Sequence, residues 1–199
     1  MNEDFESYKI EDEEPEEKRY TMWRLAPRVF VAPSTGWEKV KMHGPSPDLA
    51  VIRFLLPFSL MAGGSVFFRL LYPGQHTFTD LLVNAVIAFF SFFLGYYIAL
   101  VLQKIFLPKE DKDFPSSKYG KLLTITGVST LAIYYVLGQA LPMFDFIIEF
   151  FPLWTIFLTY KGLRAVELKT DKWTYALGVI CIVIICSPVL AEWFFSLFA

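Results

Sequence analysis

Arg69, His76, Asp80, Asp145 and Glu149 stand within or beside long apolar runs, and they are the residues here whose types suggest chemistry. A carboxylate at the centre of a membrane helix costs about 2.5–3.5 kcal/mol on insertion scales, so it either relays a cation or proton or neutralises a partner. Glu149 lies about one turn inside an apolar run, Asp145 lies one turn earlier, and Arg69 closes another run on the same side. We expect a structural polar pair, Arg69 with Glu149 or Asp145, that pins two hairpins together. His76 and Asp80 hint at a metal site, but one histidine with scattered acids is a weak ligand set. Thr77 followed three residues later by Asp80 fits a helix N-terminus better. Cys181 and Cys186 sit inside the last apolar run, where apolar filling suits them better than a metal or a disulfide. The chain has no His-Glu-x-x-His, Gly-x-Ser-x-Gly, Cys-x-x-Cys or phosphate-cradling glycine loop. No catalytic residue, cofactor or metal is expected, and the chain is read as a non-enzyme.

The elements that must position these residues are membrane spans. Hydrophobic residues make up 55% of the chain, above the 45–50% or so of soluble domains. Apolar runs occupy about 50–72, 78–106, 121–141, 146–160 and 173–198. A bilayer core of about 30 Å needs around 20 helical residues, so four runs suffice and the fourth, short and holding Pro152, is the weakest. Of the 18 Lys and Arg residues, all but Arg69 fall in the N-terminal arm up to Arg53, in the connection from Lys104 to Lys121, or in that from Lys161 to Lys172. Positive short loops stay cytoplasmic. The expected fold is all-α and polytopic, five transmembrane helices with the N-terminus cytoplasmic and the C-terminus extracytoplasmic. Pro73-Gly74-Gln75-His76 and Pro142-Met143-Phe144-Asp145 form the short outer turns.

Ahead of this membrane domain, 50–199, lie two other stretches. Residues 1–19 are acidic, with no secretory signal, and read as a disordered tail. Residues 20–49 mix Trp23, Trp37 and other apolar groups with Arg24, Arg28, Lys39 and Lys41. They form an amphipathic segment that either lies in the inner headgroup layer or docks on the protein's own cytoplasmic loops. Thr35 and Glu38 form a possible capping box there.

Helix packing has its own signature. Asn84, Ala88, Ser91 and Gly95 recur at spacings of four, three and four, and Gly120, Thr124, Gly127, Leu131, Tyr134 and Gly138 repeat the pattern in the third run. Small residues let backbones approach in lipid, so these stripes are expected to be seams that place the second and third spans centrally. Gly63-Gly64 plays the same part in the first. Phe89, Phe93, Tyr96 and Leu100 are expected on the lipid face.

Five spans, a cytoplasmic N-terminus, a short outer C-terminus and aromatic-rich helices resemble the Yip family, named for interaction with Ypt/Rab GTPases. The likeness is strongest at Tyr160-Lys161-Gly162-Leu163, followed by Lys169-Thr170-Asp171-Lys172 and the last run, and at Ala32-Pro33-Ser34-Thr35-Gly36-Trp37 before the first. The Asp-Leu-Tyr-Gly-Pro segment of eukaryotic members is absent, which points to a bacterial-type member. The resemblance implies an integral protein of the bacterial inner membrane, with a eukaryotic endomembrane as the alternative, and carries over no functional residue. The expected function is a scaffold or adaptor that organises partner proteins or membrane at its cytoplasmic face. The alternative is a small transporter or channel subunit with a polar path between spans two and three, built from Asn84, Ser91, Thr124 and Thr126. Expected partners are the bilayer and a membrane or cytoplasmic protein, in a homo- or hetero-oligomer; no nucleic acid is expected.

Overall fold

The computed structural model describes residues 21–74, 77–144, 146, 150–166, 168 and 171–198. The acidic stretch 1–19, and with it the expected tail, lies outside the described residues, as do His76, Asp145 and Glu149. The fold is all-α. Among the described residues four helices are long and apolar enough to cross a bilayer: Pro47–Leu71 (α3), Phe78–Phe106 (α4), Lys118–Ala140 (α5) and Trp173–Ser196 (α7). This is a polytopic membrane protein. Ahead of α3 stand two short helices, Met22–Val31 (α1) and Pro33–His43 (α2). Helix α6, Phe151–Arg164, has 14 residues and so rises about 21 Å, short of the bilayer core.

Local chemistry sets the helix starts. Thr77 caps α4 by accepting a hydrogen bond from the Asp80 amide at 3.1 Å, the role its spacing predicted. Ser117 does the same for α5 through Gly120 N–H at 3.0 Å, so that helix opens at Lys118 rather than near Lys121. Pro47 and Pro33 each occupy a first helical turn, where a missing N–H costs nothing. Helix α2 therefore begins ahead of the Thr35–Glu38 box, and the Thr35 hydroxyl instead donates to the Ala32 carbonyl at 3.2 Å.

Helix α5 is the axis of the bundle. It touches α3, α4, α6 and α7, and every residue from Leu122 to Thr130 is buried. Its buried threonine hydroxyls donate within the helix, Thr126 to the Leu122 carbonyl at 2.8 Å and Thr130 to the Thr126 carbonyl at 2.7 Å. Helix α4 is less central, lying along α7 with one side open. Its open face is Leu82, Val86, Phe90, Tyr97, Val101 and Ile105. The aromatic stripe expected there is rotated inward: Tyr96 is 3% exposed, and Phe93 is half-buried against the core. Aromatic residues fill gaps between helices as readily as they face acyl chains, so bulk alone did not assign the face.

Two prolines inside spans free carbonyls that other side chains satisfy. Pro57 follows a π-helical turn, Val51–Leu55, and cannot donate to the Arg53 carbonyl four residues earlier. Trp23 of α1 supplies that hydrogen bond from its indole N–H. In α7, Pro188 withholds its donor from the Ile184 carbonyl, and the Ser187 hydroxyl donates instead at 3.2 Å.

Candidate functional site

One end of the bundle gathers the start of α3, the end of α4, the start of α5, the end of α6 and the start of α7. It carries Lys104, Lys118, Lys121, Lys161, Arg164 and Lys172 and is the basic end of the bundle. Helices α1 and α2 fold back on each other here, so closely that a Cβ on Gly36 would lie 2.6 Å from the Val29 backbone. The apolar face of this hairpin, Met22, Leu25, Ala26, Val29, Trp37 and Val40, is buried against the bundle itself. Arg24, Arg28, Glu38, Lys39 and Lys41 remain exposed on its other side.

Trp37 is the anchor. Its indole N–H donates to the Leu158 carbonyl at 2.9 Å, and its ring sits 5.6 Å from that of Tyr119. The seat exists because Gly162 has no side chain: a Cβ there would lie 2.9 Å from Trp37 Cε2 and 2.3 Å from Leu123 Cδ1. Tyr119 closes the seat by donating its hydroxyl to the Gly162 carbonyl at 2.9 Å. Alongside, Lys41 Nζ donates to the Ala165 carbonyl at 3.1 Å, and the Arg164 guanidinium lies 5.2 Å from the Tyr160 ring. Such contacts hold cationic side chains against an aromatic surface without removing their charge from water.

The opposite end holds Arg69. Its Nε donates to Gln139 Oε1 at 2.8 Å, and nearby the Tyr72 hydroxyl donates to the Ala140 carbonyl, so the described side-chain hydrogen bonds at the end of α3 go to α5. The expected partners Asp145 and Glu149 are outside the described residues. Asp80 is exposed at the start of α4, and among the described residues no group of three His, Cys, Asp or Glu side chains is placed to hold a metal. Cys181 is buried in the core, whereas Cys186 is on the exposed face of α7, so core filling describes the first alone.

Of the packing stripe, Ala88, Ser91 and Gly95 are buried, and Asn84 is exposed with its amide donating to the Asp80 carbonyl at 2.8 Å. A Cβ on Gly95 would lie 3.1 Å from both N and Cα of Pro188, and one on Gly127 would lie 2.8 Å from Ile184 Cγ2. One turn of α7 is therefore gripped by glycines of two other helices. Gly63 meets the Ala85 carbonyl in the same manner, at 2.7 Å from its notional Cβ, while Gly64 faces open space. Gly138 is half-buried beside a cavity of about 520 Å³ between α4, α5, α6 and α7. Ser91 also lines it. Thr124 and Thr126 do not: Thr126 bonds to its own helix, and Thr124 accepts at 3.2 Å from Gln103, a fully buried amide of α4.

Sequence reasoning overlooked Gln103, Gln139 and Glu192. A single amide or carboxylate near the end of an apolar run reads as solvated, and only the neighbouring helices show what each meets. The Trp37–Leu158 bond was hidden for another reason: it joins residues 121 positions apart through a backbone carbonyl, which has no sequence signature.

The two segments that carried the family resemblance, Ala32–Trp37 and Tyr160–Leu163, thus meet in space. A family model described as the Yip1 domain matches residues 28–191, from within α1 to near the end of α7. No curated protein and no solved structure matches the chain. With most of its length covered by that domain, the chain belongs to the Yip1 domain family of integral membrane proteins.

Proposed function

We propose that this non-enzymatic membrane protein is a scaffold or adaptor whose partner-binding surface is the basic end. The observation that carries this reading is the Trp37 anchor. It fixes the α1–α2 hairpin to the bundle and so adds the exposed charges of Arg24, Arg28, Lys39 and Lys41 to the end that carries Lys118 and Arg164. A charged surface held on a rigid base suits recognition of a complementary protein face. We further infer that α6 is the fifth crossing element, that the basic end is cytoplasmic and that the C-terminus lies across the membrane. The distribution of Lys and Arg supports this orientation. In this orientation a bacterial inner membrane is the setting we favour.

The test combines topology with partner capture. Reporter fusions at Gln75 and after Phe198 should read extracytoplasmic, and one at Lys112 cytoplasmic; a cytoplasmic C-terminus overturns the orientation. Protein reconstituted in nanodiscs, with and without reversal of Arg24, Arg28 and Lys39 to Glu, is then used for quantitative capture from the membrane and cytosol of its source cell. Loss of the same captured protein on charge reversal supports the reading. Capture unaffected by reversal, together with cation flux in liposomes, would favour the transporter alternative. That alternative places Ser91 alone of its four polar residues at the cavity.

A further inference from the structure

The cavity between α4, α5, α6 and α7 lies beside the start of α6, where the Phe151 ring stacks on Tyr134 at 4.4 Å. Its volume, about 520 Å³, falls in the range of small-molecule sites. Leu131, Ile185 and Val189, nearer the middle of α5 and α7, give it a mainly apolar stem beside Ser91, and Tyr135, Gln139 and Glu192, nearer the helix ends, give it a polar mouth. Glu192 sets a negative charge at the mouth, and Arg69 stands behind Gln139. Arg69 holds Gln139 by its Oε1, and the amide N–H groups are the donors that this side chain can offer a ligand. Glu192 is exposed, one turn from the end of α7, where lipid headgroups lie.

We propose that this cavity binds a membrane phospholipid with a zwitterionic, primary-amine headgroup. An acyl chain enters the apolar stem from the bilayer. The protonated amine donates to Glu192, while the phosphate accepts from the Gln139 amide, with Arg69 behind it. A headgroup lacking the amine leaves Glu192 facing an anion. A trimethylated amine keeps the charge but cannot donate, and so ranks between the two.

Native mass spectrometry of the full chain, delipidated and then exposed to equimolar phosphatidylethanolamine, phosphatidylcholine and phosphatidylglycerol, tests the proposal. The wild type should retain one phosphatidylethanolamine in preference to phosphatidylglycerol by on the order of tenfold, the worth of one charge-assisted hydrogen bond. Glu192→Gln should abolish that preference, and Gln139→Leu should weaken retention of all three phospholipids. Ile185→Trp, which fills the stem, should reduce retention of all three lipids while leaving the thermal melt near that of the wild type. Equal retention of phosphatidylglycerol and phosphatidylethanolamine by the wild type overturns the proposal, as does a preference that survives Glu192→Gln. Retention undiminished in a folded Ile185→Trp variant would place the lipid elsewhere and overturns it as well.

Discussion

Trp37 and Gly162 lie 125 positions apart in the chain, yet the indole of one occupies the space left by the missing side chain of the other, with a notional Gly162 Cβ only 2.9 Å from the ring. This joint connects the N-terminal hairpin to α6 and, through Tyr119, to α5. Gly162→Ala should therefore destabilise the protein by about 1–3 kcal/mol, the usual range for overpacking a close contact. Trp37→Ala should cost more, about 3–5 kcal/mol, because it removes a buried aromatic and a hydrogen bond. Thermal melts in mild detergent measure both, and a Gly162→Ala melt like that of the wild type would show that the indole can be seated without the notch.

Trp23 and Pro57 make a second pair whose energies are linked. Trp23 donates to a carbonyl that Pro57 cannot serve, so Trp23→Phe removes that hydrogen bond at a cost of about 0.5–1.5 kcal/mol. In a Pro57→Ala background the helix gains an N–H of its own, and the same Trp23 substitution should cost markedly less. A double-mutant cycle read by chemical denaturation gives the coupling. Additive losses would mean that Trp23 acts through ring packing on Phe54 and Phe58 alone.

Gly95→Leu should be among the most damaging substitutions in α4, because any side chain there meets the backbone of Pro188. Phe90→Leu, on the open face of the same helix, should change the melt little. Similar losses for both would reverse the assignment of faces.

Arg69 tests the polar pairing at the far end. Its bond to Gln139 should show a coupling energy of about 1 kcal/mol in an Arg69→Met, Gln139→Leu cycle. We propose that Glu149 also draws on Arg69. Glu149→Gln should then lower stability in the wild type and have a smaller effect once Arg69 is Met, whereas equal effects in both backgrounds would separate the two residues.

The pattern of apolar runs was enough to specify helices and a polytopic membrane fold. Each follows from quantities local to the chain: hydropathy over about 20 residues, a capping Thr at 77, a proline at a first turn. α4 begins and ends at Phe78 and Phe106, as its hydropathy alone required. Glycine spacing likewise marked Gly95 and Gly127 as points of close approach, because a missing Cβ has one obvious use between helices in lipid. It was silent on the partner. Only the tertiary structure decided that both glycines grip the same turn of α7, that Tyr96 faces inward, and that Asn84 faces outward. It also decided that residues 22–43 bury their apolar face on the spans. An amphipathic face binds any apolar surface of suitable shape, lipid or protein. Which one it meets depends on a gap between α5 and α6 the width of an indole, and that gap exists only once Gly162 and Leu123 have been brought together.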